Sequence, residues 1–196
     1  MKLKTVAILV SASFLISACN DSDDDSGEKV TFEAGNLLDR AANDVITKSY
    51  DELDTKAEEL VTEVEALDDG DATGEKVEAA REQWETTRKK WEATEAYLFG
   101  PVDTGGHDPA MDSWPLDKAY FDDDDSEDDF EVPNDFDDVD GARKGFHAVE
   151  YLLWNRLITD SGGEESAKEA ADRLNGKKTQ REYLVAAAED VRSHTQ

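Results

Sequence analysis

The chain has 196 residues, with 49 acidic side chains against 21 basic ones, a net charge of -28 and a pI near 4.2. This balance, without any cluster of Lys or Arg, excludes a nucleic-acid-binding protein, because such proteins neutralise phosphates with basic groups. The single cysteine excludes a disulfide framework and a zinc site made of several thiolates from this chain. The acidity leaves three interpretations open: a salt-adapted surface, a cation-binding role, or disordered acidic segments.

Residues 1–18 have the features of a secretory signal peptide. Two lysines precede an apolar run over residues 5–16, which is too short to span a bilayer. The run ends in Leu15-Ile16-Ser17-Ala18-Cys19, which resembles a bacterial lipobox, so we expect Cys19 to be lipidated and to anchor the chain to the membrane. The other interpretation is a chance Ala-Cys pair after an ordinary signal peptide.

Residues 19–29 are rich in Asp, Ser and Gly, and they are predicted to be an acidic tether between the lipid and the domain. The expected location is therefore the periplasmic face of a bacterial cell envelope. Asn20 stands at the second mature position, and the absence of Asp there favours the outer membrane over the inner one.

The hydrophobic pattern of residues 30–196 predicts an all-α, up-and-down helical bundle. Apolar residues at steps of three and four predict a long helix over residues 30–67 and a second helix over residues 73–99. Because the turn between them is short, we expect these two helices to be antiparallel. A third helix is predicted from near Gly141 to near Ile158, and a fourth begins near Lys178 and is still regular at Gln196.

The connection over residues 100–141 has a different composition. It holds all four prolines and an acidic run over residues 122–129. A link of about forty residues is too long to be passive in a compact domain, so we expect one part to be functional and another part disordered. The acidic run lacks the glycine and the terminal glutamate spacing of a calcium loop, which favours a solvated loop.

The third helix carries a group of polar side chains on one face. At 100° per residue, Arg143, Glu150, Tyr151 and Trp154 all fall within about 60° of His147. The other faces are apolar, which predicts a buried helix whose charges need partners or a metal ion. A His and a Glu three residues apart can share one ion, and the competing interpretation is a salt bridge between them.

Other chemically active side chains surround this group in the sequence. Gly145 is unfavourable inside a helix, by about 1 kcal/mol relative to alanine, and so suggests a close backbone contact. Glu95 is predicted to point toward the edge of the core, and Asp112 stands next to Trp114. The other interpretation of this segment is a turn anchored by a buried tryptophan. His107 and His194 lack a comparable setting, and we predict that they are surface residues.

Four segments in this order resemble the imelysin-like family: residues 91–101, 112–117, 145–150 and 181–184. The family hallmark Gly-x-His-x-x-Glu corresponds here to Gly145, His147 and Glu150, and residues 181–184 resemble its Arg-x-Tyr-Leu helix. The resemblance implies an all-α fold of two helical-bundle domains, a location in the cell envelope, and a link to iron uptake or iron regulation. It also brings a metallopeptidase label, although the His-Glu-x-x-His motif of zinc peptidases is absent.

The resemblance further implies a set of metal ligands. These are His147 and Glu150, with Glu95 and Asp112 as further oxygen ligands, supported by Gly145, Arg143, Trp114 and Trp154. A set rich in oxygen with one imidazole favours iron, ferric or divalent, over thiolate-preferring metals. Iron-uptake components are then the expected partners.

Three functions remain open at this point. The first is a metal-binding lipoprotein that serves iron uptake, the second is a metallopeptidase of the insulin-cleaving type, and the third is an acidic interaction module without metal. Family members are about twice as long as this chain, so we expect a truncated or partial protein that contains only the first of two bundles.

Overall fold

A computed structural model of the chain describes residues 34–122, 131–157, 163 and 165–196. These residues are 73 % helical and contain no strand, which confirms the all-α fold. None of their helices combines the length and the apolar character needed to cross a bilayer. The signal peptide, Cys19, the tether and the acidic run after Asp122 lie outside the described residues.

The first predicted helix is observed as one continuous helical run. It comprises α1 (Ala34–Arg40), a π-helical stretch (Ala41–Thr47) and α2 (Lys48–Glu65), and the junction residues keep right-handed helical angles. Helix α2 buries residues at the expected helical spacing, whereas the earlier part of the run is largely exposed; the buried side chains are Leu53, Ala57, Leu60, Val61 and Val64.

Helix α3 (Gly74–Thr94) packs antiparallel to α2, as predicted. Its start is capped by the Thr73 side chain, which accepts a hydrogen bond from the Lys76 amide. The antiparallel register follows from two contacts: the Thr87 hydroxyl donates to the Lys56 carbonyl, and Lys90 pairs with Glu52.

Helix α7 (Gly145–Trp154) lies at the centre of the fold, because nine of its ten residues are buried. It packs against α3 and against α9 (Lys178–Ser193), the last predicted helix. Two side chains of α3 hold the ends of α7: the Trp84 indole donates to the Phe146 carbonyl at 3.0 Å, and Arg81 donates to the Leu153 carbonyl at 2.9 Å. The position of α7 is therefore fixed by polar contacts as well as by apolar packing.

The predicted third helix is shorter than expected at both ends. Residues Gly141–Arg143 form a separate 3-10 turn, and Lys144 is extended, with φ -134° and ψ -171°. At the other end, Asn155 adopts the left-handed conformation and ends the helix. Arg143 therefore lies outside the helix, and the angular position predicted for it at 100° per residue does not apply.

The segment after α3 is packed onto the core. It forms three short helices, α4 (Pro101–Thr104), α5 (His107–Met111) and α6 (Lys118–Asp122). Four apolar side chains anchor this segment in the core: Met111, Leu116, Phe121 and Phe136. It therefore acts as a structural layer that carries residues toward α7.

Helices α8 (Ala167–Gly176) and α9 complete the described fold. Ser166 and Glu169 form a reciprocal capping box at the start of α8. The Arg181 guanidinium donates to the last carbonyls of α8, including that of Leu174, and the Tyr183 hydroxyl donates to the Arg143 carbonyl at 2.7 Å. The Arg-x-Tyr-Leu segment thus joins α9 to α8 and to the turn before α7.

Candidate functional site

Gly145 brings the α5 segment against the start of α7. Its φ is +74°, and a Cβ atom at this position would lie 2.2 Å from the Met111 carbonyl oxygen. The close backbone contact predicted at Gly145 is present, although Gly145 is the first residue of the helix and not an interior one. Because Asp112 follows Met111 directly, this contact places the Asp112 carboxylate beside α7.

His147 lies between two carboxylates. Its Nε2 atom is 3.2 Å from Asp112 Oδ1, and its Nδ1 atom is 2.9 Å from Glu150 Oε2. The side chains of His147, Asp112 and Glu150 are 16 %, 11 % and 4 % exposed, respectively. The structure therefore brings together three of the four predicted ligands, Asp112, His147 and Glu150.

Two residues of α3 complete this group, which we call the His147 cluster: Asp112, His147, Glu150, Arg88 and Trp91. Arg88 forms an ion pair with Asp112 Oδ1, and the Trp91 indole donates to Asp112 Oδ2 at 3.0 Å. Sequence reasoning did not assign these two residues to the site. The sequence did indicate that Arg88 and Trp91 share one face of α3, because they are three residues apart.

The pKa values of Asp112 and His147 move apart because the two groups stabilise each other's charged form. Burial acts to raise the pKa of Asp112, but hydrogen bonds from His147 and Arg88 outweigh it and lower the pKa to about 2. Burial acts to lower the pKa of His147, but hydrogen bonds to Asp112 and Glu150 outweigh it and raise the pKa to about 9. Without a bound ion, His147 is therefore an imidazolium at neutral pH, and both ring nitrogens donate.

These shifts predict a definite pH dependence of stability in the metal-free protein. The contribution of His147 is complete below its unfolded pKa near 6.5 and is lost as the pH rises through about 9. The contribution of Asp112 is complete above its unfolded pKa near 3.8 and is lost as the pH falls toward 2. The free energy of unfolding, measured with urea in the presence of a chelator, is expected to decline from pH 6 to pH 9 more steeply in the parent than in His147→Gln. Equal slopes in the two proteins would contradict this.

Trp114 covers one side of the cluster. Its ring lies 5.0 Å from the His147 ring in an edge-on arrangement, and the residue is 57 % exposed. The alternative of a turn anchored by a buried tryptophan is therefore wrong, because Trp114 contacts His147 while remaining open to solvent.

Two other predicted site residues, Glu95 and Arg143, lie apart from the cluster. Glu95 is exposed in the 3-10 turn Glu95–Tyr97, because α3 ends at Thr94, so the prediction that it points toward the core edge is wrong. Arg143 precedes α7, pairs with Asp117 at 2.9 Å and lies over the Tyr120 ring.

Trp154 is also placed elsewhere. It shares the angular direction of His147 but lies two turns further along the helix, about 10 Å away along its axis. There it packs against Trp84 and the Arg81 guanidinium. A shared direction around the helix axis therefore did not mean that Trp154 and His147 belong to one site.

His107 and His194 are not the surface residues that the sequence predicts. Both are partly buried, and their Nδ1 atoms lie 3.2 Å apart. No local sequence signal indicated this contact, because the two residues are 87 positions apart.

The side chains of the His147 cluster are of types that bind metal ions, but their present arrangement does not direct all of them at one ion. One imidazole and two carboxylates suit iron. Across residues 34–122, 131–157 and the remaining described positions, however, no group of three or more His, Cys, Asp or Glu side chains is arranged to hold one ion. The reason is that Asp112 and Glu150 face opposite ring nitrogens. An ion bound by His147 can therefore take only one of these carboxylates without a rearrangement.

Comparison with known proteins adds two findings. The model of the imelysin family, peptidase family M75, matches residues 46–196. "Iron-regulated protein A" from Synechococcus elongatus is 38 % identical over 61 residues, which is 31 % of this chain but only 15 % of that protein. The alignment therefore spans a small part of the relative's length. No solved structure matches the chain.

Proposed function

Because the chain belongs to the imelysin family, we propose that it is a cell-envelope protein that binds an iron ion at His147 in the course of iron uptake. The name of the cyanobacterial relative, which describes iron regulation, supports the connection to iron. The lipobox-like sequence ending at Cys19 supports attachment to the periplasmic face of the envelope, with the outer membrane favoured.

The observation that carries this proposal is the placement of Asp112 against His147. The Nε2 and Oδ1 atoms are 3.2 Å apart, which suits two ligands that each lie about 2.1 Å from a shared ion. This is the more open side of the ring, because Asp112 is more exposed than Glu150. We therefore assign His147 and Asp112 as the principal ligands.

The other members of the cluster prepare these two ligands. Glu150 accepts a hydrogen bond from Nδ1, which leaves Nε2 to face the ion, in the manner of the carboxylates that orient metal-binding histidines elsewhere. Trp91 and Arg88 hold the Asp112 carboxylate in place. In the metal-free protein a proton occupies the bridge between His147 and Asp112, and iron binding requires that this proton leave.

Oxygen and nitrogen donors would hold the bound ion, which would act as a Lewis acid. Few ligands come from the described residues, so other ligands would come from water, from a carrier molecule or from another part of the protein. Such a partly open site suits an ion that is picked up and passed on. Iron-uptake components of the envelope are the corresponding partners in this proposal.

The metallopeptidase alternative has less support from the geometry. It needs a metal-bound water and a carboxylate free to act as its base. Here Asp112 is held by His147, Arg88 and Trp91, and Glu150 is bonded to His147. The acidic interaction module remains the outcome to be accepted if no metal binds.

Iron binding to the full chain tests the proposal. Anaerobic titration with Fe²⁺ is expected to give about one bound ion per chain and to quench tryptophan fluorescence, because Trp114 lies beside His147 and Trp91 is bonded to Asp112. Both signals should be lost in His147→Gln and retained in His107→Gln, a matched control that also removes one imidazole. Equal iron binding in the parent and in His147→Gln would overturn the proposal.

A further inference from the structure

His107 and His194 form an imidazole pair that shares no residue with the His147 cluster. His107 opens α5, and His194 directly follows α9. Their Nδ1 atoms are 3.2 Å apart, and their ring planes meet at 68°. Two nitrogens at this distance cannot both carry protons directed at each other, so they must share either one hydrogen or one cation.

The spacing of the pair is suited to a shared ion. Two nitrogen ligands that each lie about 2.1 Å from one ion are separated by about 3 Å when they occupy neighbouring positions. Because the two rings come from different elements, it is the fold that brings their Nδ1 atoms together. The pair thus has the donor arrangement of a two-histidine chelate.

Asp190 lies near the outer nitrogen of His194, and Lys144 Nζ lies 3.9 Å from Asp190 Oδ2. The Oδ1 atom of Asp190 lies 3.6 Å from His194 Nε2, and the Asp190 side chain is only 5 % exposed. Because this separation exceeds a hydrogen bond, Asp190 contributes a nearby negative charge that favours a cation and does not fix the orientation of the His194 ring. Within the described part of the chain, Asp190 Oδ2 and His194 Nε2 have no hydrogen-bond partner.

Gly105 makes room for the second ring. A Cβ atom at Gly105 would lie 2.3 Å from His107 Nε2 and 2.9 Å from the Pro101 carbonyl oxygen. The His107 ring is therefore seated against the backbone of the preceding turn. Any side chain at Gly105 would displace this ring from its present position beside His194.

The pair lines a cavity of about 640 Å³ between α2, α5 and the residues after α9. The cavity has room for water or a small co-ligand on the open side of an ion. Asp51 and Asp54 also line it, and their negative charge favours entry of a cation.

We propose that His107 and His194 chelate a divalent transition ion of the imidazole-preferring kind, such as copper, nickel or zinc. The cavity leaves the remaining coordination positions open to water or a small co-ligand. This site differs in chemistry from the His147 cluster, because two nitrogens in place of one nitrogen and carboxylates favour a softer ion. The two sites share no ligand, although Trp91, which donates to Asp112, also lines this cavity.

Cu²⁺ binding to the untagged full chain tests this site. The parent for the test carries Cys19→Ser and His147→Gln, so that His107 and His194 are the only remaining imidazoles and no thiol is present. We expect about one Cu²⁺ per chain, with electron paramagnetic resonance showing coupling to two imidazole nitrogens. His194→Gln and His107→Gln should each lower the affinity more than about tenfold and leave coupling to at most one imidazole.

Two further variants separate ligand loss from damage to the fold. Gly105→Ala keeps both histidines but displaces the His107 ring, so the Cu²⁺ affinity should fall about tenfold while the helical circular dichroism is unchanged. Gly176→Ala, at a glycine with nothing within 4 Å of the added Cβ, should leave the Cu²⁺ affinity unchanged. Cu²⁺ bound with the same affinity in His194→Gln as in its parent, or bound without imidazole coupling, would overturn the proposal.

Discussion

Replacement of Gly145 by alanine is expected to lower the free energy of unfolding by about 4 kcal/mol, within the range of severe point mutations. Two causes add together. The φ of +74° is unfavourable for any side chain, and the new Cβ would lie 2.2 Å from the Met111 carbonyl oxygen and 2.6 Å from its carbon. Both of these atoms belong to the backbone, so the clash can be relieved only by moving α5 away from α7.

Gly106→Ala is the matched control for Gly145→Ala. Gly106 also has a positive φ, +67°, but nothing lies within 4 Å of a Cβ built there. Only the conformational cost remains, which is about 1 kcal/mol. Urea unfolding of both variants measures the difference, and comparable losses would show that the contact with Met111 is unimportant for the fold.

Asp112→Asn is expected to cost about 3 kcal/mol, because it removes the partly buried carboxylate that two charged side chains share. The variant leaves the His147 imidazolium and the Arg88 guanidinium without the carboxylate that joins them. The pKa of His147 should therefore fall, which NMR titration of the histidine can follow in the metal-free protein. Iron binding should be lost with the same substitution.

Glu92→Gln is the control for Asp112→Asn. Glu92 also pairs with Arg88, at 3.1 Å, but its side chain is 56 % exposed. Exposed ion pairs contribute less than about 1 kcal/mol, so this variant should unfold almost like the parent and keep the pKa of His147. Equal destabilisation by the two substitutions would mean that burial of the cluster has no energetic consequence.

The helical pattern of the sequence was sufficient to predict the antiparallel pair α2 and α3. The spacing of three to four residues that buries Leu60 and Val64 reflects the helix geometry itself and needs no tertiary information. The same periodicity could not locate the start of α7, because the extended Lys144 and the positive φ of Gly145 depend on the neighbouring backbone at Met111.

The site was predictable where its residues are close in sequence. The pair His147 and Glu150 is set by one helical turn, whereas the contribution of Asp112 followed from the family resemblance and requires the fold to bring it into contact. The prediction for Glu95 assumed that α3 continues to this residue, whereas the helix ends at Thr94. The contact between His107 and His194 depends on tertiary packing alone and has no local signature.

The central question is whether iron replaces the proton between His147 and Asp112. The metal-free arrangement is stable because the imidazolium lies between two carboxylates, and an iron ion must compete with this proton. In the proposed function, this competition would favour an ion that prefers oxygen and imidazole donors. Glu150 would then keep the imidazole oriented toward the ion without binding the ion itself.

The most direct test is a crystal of the full chain, saturated with iron and measured on both sides of the iron absorption edge. We expect an anomalous peak within bonding distance of His147 Nε2 and of the Asp112 carboxylate, and no such peak in crystals of His147→Gln grown under the same conditions. A fully saturated crystal whose iron lies elsewhere, with His147 still bonded to both Asp112 and Glu150, would contradict the account.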